Sequence, residues 1–122
     1  MIGYITLGTQ DPQRAQAFYD SLLQPLGATR LMAQGDFVLW GRSMEEPCLA
    51  STRPYDGQDA THGNGTMVAL RMEDQAQVDA LYAKAMDLGA TDEGAAGPRG
   101  DGFYAGYFRD PDGNKLCAFC FG

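Results

Sequence analysis

The spacing of apolar residues predicts two amphipathic helices, each preceded by a short strand. Ile5 and Leu7 alternate within a strand over residues 2–8, and Val68, Leu70 and Met72 alternate in the same way over residues 67–72. Each strand is followed by an apolar stripe with helical spacing. The stripes consist of Ala15, Phe18, Tyr19 and Leu22 in the first helix, and of Val78, Leu81, Tyr82, Ala85 and Leu88 in the second.

The pattern repeats along the chain. Leu26-Gly27-Ala28-Thr29 returns as Leu88-Gly89-Ala90-Thr91, 62 positions later in a chain of 122 residues. Gly27 and Gly89 are predicted to end the two helices in a left-handed conformation, and Thr9 or Asp11 and Glu73 or Asp74 to begin them. Three strands are predicted after each helix, over 28–32, 36–40 and 47–52 and then over 91–93, 103–109 and 115–121.

Each half is therefore predicted to be a βαβββ module, and the fold class to be α+β. The segment 54–64 is polar and rich in turn residues, which indicates a linker. With 44% hydrophobic residues, the chain can form the core of one ordinary domain. We expect a single domain over 1–122, with module one at 1–53, the linker at 54–64 and module two at 65–122.

Charge and cysteine content narrow the classes of partner. The formal net charge of −7 disfavours nucleic acid and anionic membranes and is compatible with a cationic or neutral ligand. No apolar run is long enough to span a membrane, and the first residues lack the pattern of a signal peptide. Three cysteines are an odd number, which fits reduced thiols. These features predict a cytoplasmic protein.

Tandem βαβββ modules, with the turn Asp110-Pro111-Asp112-Gly113-Asn114 before the last strand, resemble the vicinal oxygen chelate superfamily. Glyoxalase I, bleomycin-resistance proteins and extradiol dioxygenases belong to that superfamily. The most specific segments of the resemblance are 11–19, 65–70 and 107–116. The resemblance implies a curved mixed sheet around a cavity between the two modules, and a homodimer.

Metal-dependent members of the superfamily hold a divalent ion with His or Glu side chains from their strands. The resemblance places these positions at Tyr4, at Ala50 or its neighbour Ser51, at Met67 and at Cys117. Phenol, methyl, hydroxyl, thioether and thiol groups are poor ligands for the usual divalent ions. We therefore expect no metal and no cofactor at these positions.

Strand alternation predicts which side chains would line a pocket for a small organic molecule. The predicted ligand-binding residues are Tyr4, Thr6, Trp40, Met67, Ala69, Tyr107, Cys117 and Phe119. The facing of Trp40 stays open, because both sides of its strand are apolar. Tyr4, Thr6, Tyr107 and Cys117 are also the candidates for catalysis.

The cysteine pair, the histidine and one glycine-rich stretch each raise the question of a functional role. Cys117 and Cys120 resemble a redox pair, but side chains three apart on a strand point to opposite faces, which disfavours a disulfide. His62, the only histidine, lies in the linker either as a surface residue or as part of a lid. The stretch 94–102 is expected to be a loop in which, by the resemblance, Arg99 could meet an anionic group.

Three functional hypotheses follow. The first is a metal-free glyoxalase/bleomycin-resistance-like protein that binds a small organic molecule in the cavity between its modules. The second is a glyoxalase-family lyase or isomerase, or a dioxygenase-like enzyme, with displaced or rebuilt active-site groups such as His62 with Glu45 or Glu46. The third is a partner-binding subunit whose cavity is filled by its own side chains. The sequence does not identify the ligand.

Overall fold

The computed structural model describes all 122 residues, and it contains two α-helices and eight β-strands. The chain divides into two compact units, Met1–His62 and Gly63–Gly122. Each unit has the element order βαβββ, so the predicted fold class and the repeat of one module are confirmed. Neither helix has the length and apolar character needed to cross a membrane.

The first unit forms a four-stranded mixed sheet on one helix. Its elements are β1 (Tyr4–Gly8), α1 (Pro12–Leu23), β2 (Thr29–Gln34), β3 (Phe37–Gly41) and β4 (Cys48–Thr52). The strand order is β1-β4-β3-β2, in which β1 is parallel to β4 and the other neighbours are antiparallel. A short 3-10 helix, Gln24–Leu26, joins α1 to Gly27.

The second unit repeats this arrangement. Its elements are β5 (Val68–Arg71), α2 (Gln75–Asp87), β6 (Thr91–Pro98), β7 (Phe103–Arg109) and β8 (Lys115–Phe121). The strand order is β5-β8-β7-β6, again with one parallel pair, β5 and β8. The predicted limits of β7 and β8 are confirmed to the residue.

Both helices begin at an aspartate. The Asp11 carboxylate accepts a hydrogen bond from the backbone N–H of Arg14, and the Asp74 carboxylate accepts one from that of Gln77. Each bond satisfies one of the amide groups that the first helical turn leaves without an intrahelical partner. Gly27 and Gly89 follow the helical segments with φ angles of 79° and 95°, which confirms their left-handed conformation.

The helix of each unit packs on one face of its own sheet. The predicted stripe of α1 is buried throughout, whereas in α2 Tyr82 and Leu88 are only partly buried. Across from the helices, the sheets contribute buried side chains from alternate positions. These are Leu7, Val38, Trp40 and Leu49 in the first unit, and Val68, Phe108, Leu116, Ala118 and Cys120 in the second.

Strand β6 departs from the sequence prediction. The predicted strand ended at residue 93 and was followed by a loop over 94–102, but β6 continues to Pro98. It pairs with β7 through two register shifts, on either side of Gly94, which has a φ of 147°. Pairing with the regular strand β7 therefore extends a glycine-rich segment of low β-propensity, and only the hairpin connection after Pro98 remains a loop.

Each sheet also has a face that points away from its own helix, which we call the far face. Strand register places four far-face residues of each unit in one row across the sheet. The row of the first unit consists of Met32, Leu39, Ala50 and Thr6. The equivalent row of the second unit consists of Gly94, Tyr107, Cys117 and Ala69.

Candidate functional site

Tyr107 lies on the far face of the second unit, and a positively charged side chain from each neighbouring strand lies near its ring. The Arg99 guanidinium carbon lies 5.4 Å from the centre of the Tyr107 ring, and Lys115 Nζ lies 5.6 Å from it. Arg99 follows β6 and Lys115 begins β8, so the two cations come from the strands on either side of β7. Both distances are within the range of cation–π attraction.

Arg99 is held in position by the backbone. Its Nη2 donates a hydrogen bond to the Ala95 carbonyl at 2.7 Å, and its Nη1 donates one to the Pro98 carbonyl at 3.3 Å. These carbonyl groups orient the guanidinium but leave its formal charge uncompensated. Neither Arg99 nor Lys115 forms an ion pair with a carboxylate.

Gly94 leaves the space in which Arg99 and Tyr107 meet. A Cβ atom on this residue would lie 3.3 Å from Arg99 Nη2 and 3.3 Å from Tyr107 Cδ1. Such contacts are closer than nearly all Cβ contacts in proteins, and the φ of 147° is itself a conformation that favours glycine. The absence of a side chain at Gly94 therefore makes room for the Arg99 guanidinium beside Tyr107.

Cys117 lies directly beside Tyr107 in the β7–β8 pair and beside Ala69 in the β5–β8 pair. The side chain is buried, and burial raises the pKa of the Cys117 thiol, although the positive charge of Lys115 and a backbone hydrogen bond at Leu70 act in the opposite direction. The thiol is therefore protonated at neutral pH, which argues against its use as a nucleophile.

An aromatic cluster continues the same face toward the end of β8. The rings of Phe103 and Phe119 stack with centroids 5.6 Å apart, and Phe121 lies 5.3 Å from Phe103. Register places Phe119 beside Ala105, which is fully buried. The far face thus changes from charged groups around Tyr107 to an apolar aromatic surface, as in sites that bind small organic molecules.

Arg109 also lies on this far face, but its charge is already paired. It forms an ion pair with Glu93 and donates a hydrogen bond from Nη1 to the Gly113 carbonyl at 2.8 Å. In the turn that follows, the buried Asp110 carboxylate accepts hydrogen bonds from the backbone N–H groups of Asp112 and Asn114 and from the Asn114 amide. These contacts give Arg109 and the turn a structural role.

The four positions that correspond to metal ligands in the superfamily do not fit a divalent ion. Register pairs Thr6 with Ala50 in the first unit and Ala69 with Cys117 in the second, so Ala50 and Cys117 are equivalent positions in the repeat. The phenol of Tyr4, the methyl of Ala50 and the thioether of Met67 are not ligands for oxygen-seeking ions. Within either unit, no group of three or more His, Cys, Asp or Glu side chains is placed to hold a metal ion.

The predicted residues of the first unit do not share one environment. Tyr4 and Thr6 lie on the far face of β1 and are exposed, and the Tyr4 ring makes an edge contact with Phe37. Trp40 lies on the opposite, helix-covered face and is 1% exposed. Its ring packs on Tyr19, and its indole Nε1 donates a hydrogen bond to Asp20. Trp40 therefore belongs to the core under α1 and does not join Tyr4 and Thr6.

Of the remaining predicted positions, Ala69 belongs to the row of Tyr107 and Cys117, and the others are scattered. Met67 and Ala69 are exposed at the start of β5, and His62 is an exposed residue at the end of the first unit. Glu46 forms an ion pair with Arg42. His62 and the two glutamates at 45 and 46 do not form a rebuilt metal site.

Several residues of this face were absent from the sequence-based prediction. Lys115, Phe103, Phe121 and Gly94 were not predicted to belong to the site. Alternation along β8 places Lys115 and Phe121 on the side of Cys117, so the same rule that selected Cys117 contains the signal for them. The position of Gly94 depends on the register shifts of β6, which the sequence does not show.

Comparison with known proteins identifies the family. The family model of the glyoxalase-like domain matches residues 4–119. The chain belongs to the glyoxalase-like family. The predicted resemblance to the vicinal oxygen chelate superfamily is thereby confirmed. A search of curated proteins found no match.

Solved structures share the fold of this glyoxalase-like protein. A glyoxalase/bleomycin resistance protein from Albidiferax ferrireducens T118 is 34% identical, and the match covers 100% of this chain and 99% of that chain with a TM-score of 0.91. A glyoxalase-related enzyme from Fulvimarina pelagi is 20% identical over 98% and 87% of the two chains, with a TM-score of 0.79. Lactoylglutathione lyase from Agrobacterium tumefaciens is 21% identical over 98% and 92%, with a TM-score of 0.71. The last two likenesses concern the fold alone.

Proposed function

We propose that this glyoxalase-like protein binds a small organic molecule without a metal ion, and that the far face of the second unit is the binding surface. The observation that carries this proposal is the row containing Tyr107 and Cys117, with a cation on either side of the Tyr107 ring and stacked aromatic rings along the same face. A polar hydroxyl, fixed charges and an apolar surface next to one another are the usual components of a small-molecule site.

The chemistry of the metal-ligand positions supports the metal-free part of the proposal. Tyr4, Ala50, Met67 and Cys117 provide no imidazole or carboxylate, which are the usual ligands of such ions. Binding would therefore rest on the side chains themselves.

The experiment is thermal unfolding with a panel of neutral, cationic and anionic aromatic molecules, in the presence and absence of EDTA. A ligand that binds only the folded state raises the melting temperature. We expect at least one class to do so equally with and without EDTA, and Tyr107→Ala to abolish the effect. Tyr55→Ala is the matched control, because the Tyr55 side chain is fully exposed in the segment that follows β4.

Two outcomes would contradict the proposal. If no class of molecule stabilises the protein, the far face does not bind small molecules under these conditions and the partner-binding hypothesis gains support. If a stoichiometric divalent ion is present and EDTA lowers the melting temperature, the metal-free part is wrong and the lyase or isomerase hypothesis returns.

The homodimer expected from the superfamily is a separate part of the proposal. Exposed Met32 and Tyr4 side chains on the far face of the first unit provide apolar area for contact with another surface. Light scattering coupled to size-exclusion chromatography tests it, and a mass near 13.2 kDa would contradict it.

A further inference from the structure

The charges on the far face of the second unit differ from the charge of the whole chain. The chain has nine Lys and Arg against sixteen Asp and Glu. On this face, however, register and contacts place four cations, Arg71, Arg99, Arg109 and Lys115, and only the carboxylate of Glu93. Since Glu93 pairs with Arg109, the other three cations have no acidic partner on the sheet.

Two of those cations are brought to a single ring. Arg99 and Lys115 both lie within 6 Å of the Tyr107 centroid, although like charges repel one another. The attraction of the ring and the two carbonyl groups on Arg99 act against this repulsion but supply no negative charge. An anion bound beside the Tyr107 ring would interact favourably with both charges and would accept hydrogen bonds from their N–H groups.

The adjoining surface determines what the anion is attached to. Beyond the Tyr107 row, the face continues with the stacked rings of Phe103 and Phe119, which are partly exposed. A flat apolar body can pack on this part while a charged group reaches the cations. The segment after β6 that holds Arg99 precedes a strand and not a helix, so the surface lacks the helix N-terminus on which phosphate groups are usually bound.

We propose that the ligand of this far face is an organic carboxylate with a flat, apolar body, recognised by Arg99 and Lys115 around Tyr107. This inference rests on the proposed small-molecule function and specifies the charge and shape of its ligand. In this inference Arg99 and Lys115 bind the carboxylate group. The apolar body packs on Tyr107 and on the aromatic cluster of Phe103, Phe119 and Phe121.

Three probes of one shape test the proposal: 2-naphthoate, its neutral amide 2-naphthamide, and the cation 2-naphthylmethylammonium. Isothermal titration gives the Kd of each at low and at physiological ionic strength. We expect 2-naphthoate to bind at least about tenfold more tightly than the amide, which corresponds to about 1.4 kcal/mol. The cation should bind most weakly, and added salt should reduce the preference for the acid.

Variants distinguish recognition of charge from a general effect on the fold. Arg99→Gln and Lys115→Gln should each weaken 2-naphthoate binding by about fivefold or more and leave 2-naphthamide nearly unchanged, because a fixed charge stabilises only the anion. Lys115→Arg keeps the charge and should restore most of the affinity. Lys84→Gln is the matched control, since it removes one positive charge from α2, on the other side of the same sheet.

Failure of the inference and failure of the proposed function give different results. If the amide or the ammonium probe binds as tightly as 2-naphthoate, the small-molecule function stands and the carboxylate inference is overturned. If Lys84→Gln weakens binding as much as Lys115→Gln, the preference comes from overall charge and the assignment to this site is overturned. If none of the three probes binds, the carboxylate inference is overturned, and the small-molecule function is overturned as well if the wider panel of aromatic molecules also fails to stabilise the protein.

Discussion

The indole Nε1 of Trp40 donates a hydrogen bond to Oδ1 of Asp20 across 2.8 Å, and this bond joins β3 to α1. Trp40 is buried, so its N–H has no access to water and depends on this one acceptor. The same carboxylate also receives two hydrogen bonds from Arg30 on β2. Asp20 therefore connects the helix to two strands of the first sheet.

Replacing Asp20 tests how much this connection contributes to stability. Asp20→Ala leaves the Trp40 N–H without its acceptor and should lower the free energy of unfolding by about 1–2 kcal/mol. Asp20→Asn retains a side-chain oxygen and should cost less. Urea denaturation measures both, with Asp36→Ala as a control, because Asp36 takes part only in an exposed pair with Arg53 and should matter by less than about 0.5 kcal/mol. Equal losses in all three variants would contradict this role.

The charge of Asp20 also predicts a dependence on pH. Its hydrogen bond from Arg30 lowers the pKa of Asp20 below the ordinary value of 3.8, so the unfolded chain binds the proton more readily than the folded one. The resulting stability is complete above that ordinary value and is lost as the pH falls through the lower pKa of the folded state. Because the carboxylate is 42% exposed, solvent screening keeps the effect below about 1 kcal/mol.

Urea unfolding of the natural protein and of Asp20→Asn, measured from about pH 2.5 to about pH 6, would reveal this dependence. These pH limits bracket the ordinary pKa of an aspartate, which is about 3.9. The difference in stability between the two proteins should shrink toward acid pH. A difference that stays constant over the whole range would show that the charge of Asp20 does not contribute.

The contact between Arg99 and Tyr107 depends on the absence of a side chain at residue 94. Gly94→Ala adds a Cβ at 3.3 Å from both groups and forces a residue with a side chain into a φ of 147°. We expect a loss of more than about 1 kcal/mol of unfolding free energy and weaker binding of the anionic probe. Gly3→Ala is the control, because its added Cβ has nothing within 4 Å. Unchanged stability and affinity in Gly94→Ala would contradict this function of the glycine.

Cys117 should react slowly with alkylating reagents. Burial raises the pKa of its thiol above the ordinary value of 9.0 and restricts access to the sulfur. At pH 7, we expect iodoacetamide to modify Cys117 at least about tenfold more slowly than free cysteine, as followed by mass spectrometry of the digested protein. Rapid modification at neutral pH would instead support the hypothesis of a nucleophilic Cys117.

The regular elements of the fold could be predicted from the sequence because their local signals agree. In β7 and β8, aromatic and other apolar residues lie on both sides of a strong turn, and the predicted limits are the observed ones. Only the first part of β6, residues 91–93, could be predicted, because residues 94–98 contain two glycines and acquire their conformation only by pairing with β7.

The site could be predicted only in part, because alternation gives the side of a strand but not its neighbours. Tyr107 and Cys117 were assigned to the same side, and register brings them together. Trp40 was ambiguous because Val38 and Leu39 are both apolar, and the acceptor that decides its direction, Asp20, lies twenty positions away in α1. The meeting of Arg99 with Tyr107 depends on the irregularity at Gly94, which no local pattern indicates.

The equivalence of the two far-face rows has a consequence for engineering. The second unit has Gly94, Tyr107 and Cys117 where the first has Met32, Leu39 and Ala50. The same row of strand positions therefore carries two different sets of side chains in one polypeptide. The row of the first unit thus shows the same arrangement of strands with an uncharged set of side chains. Placing Leu39 and Ala50 at the positions of Tyr107 and Cys117 would remove the hydroxyl and the thiol from the second sheet, whereas residue 94 has to stay glycine because of its φ of 147°.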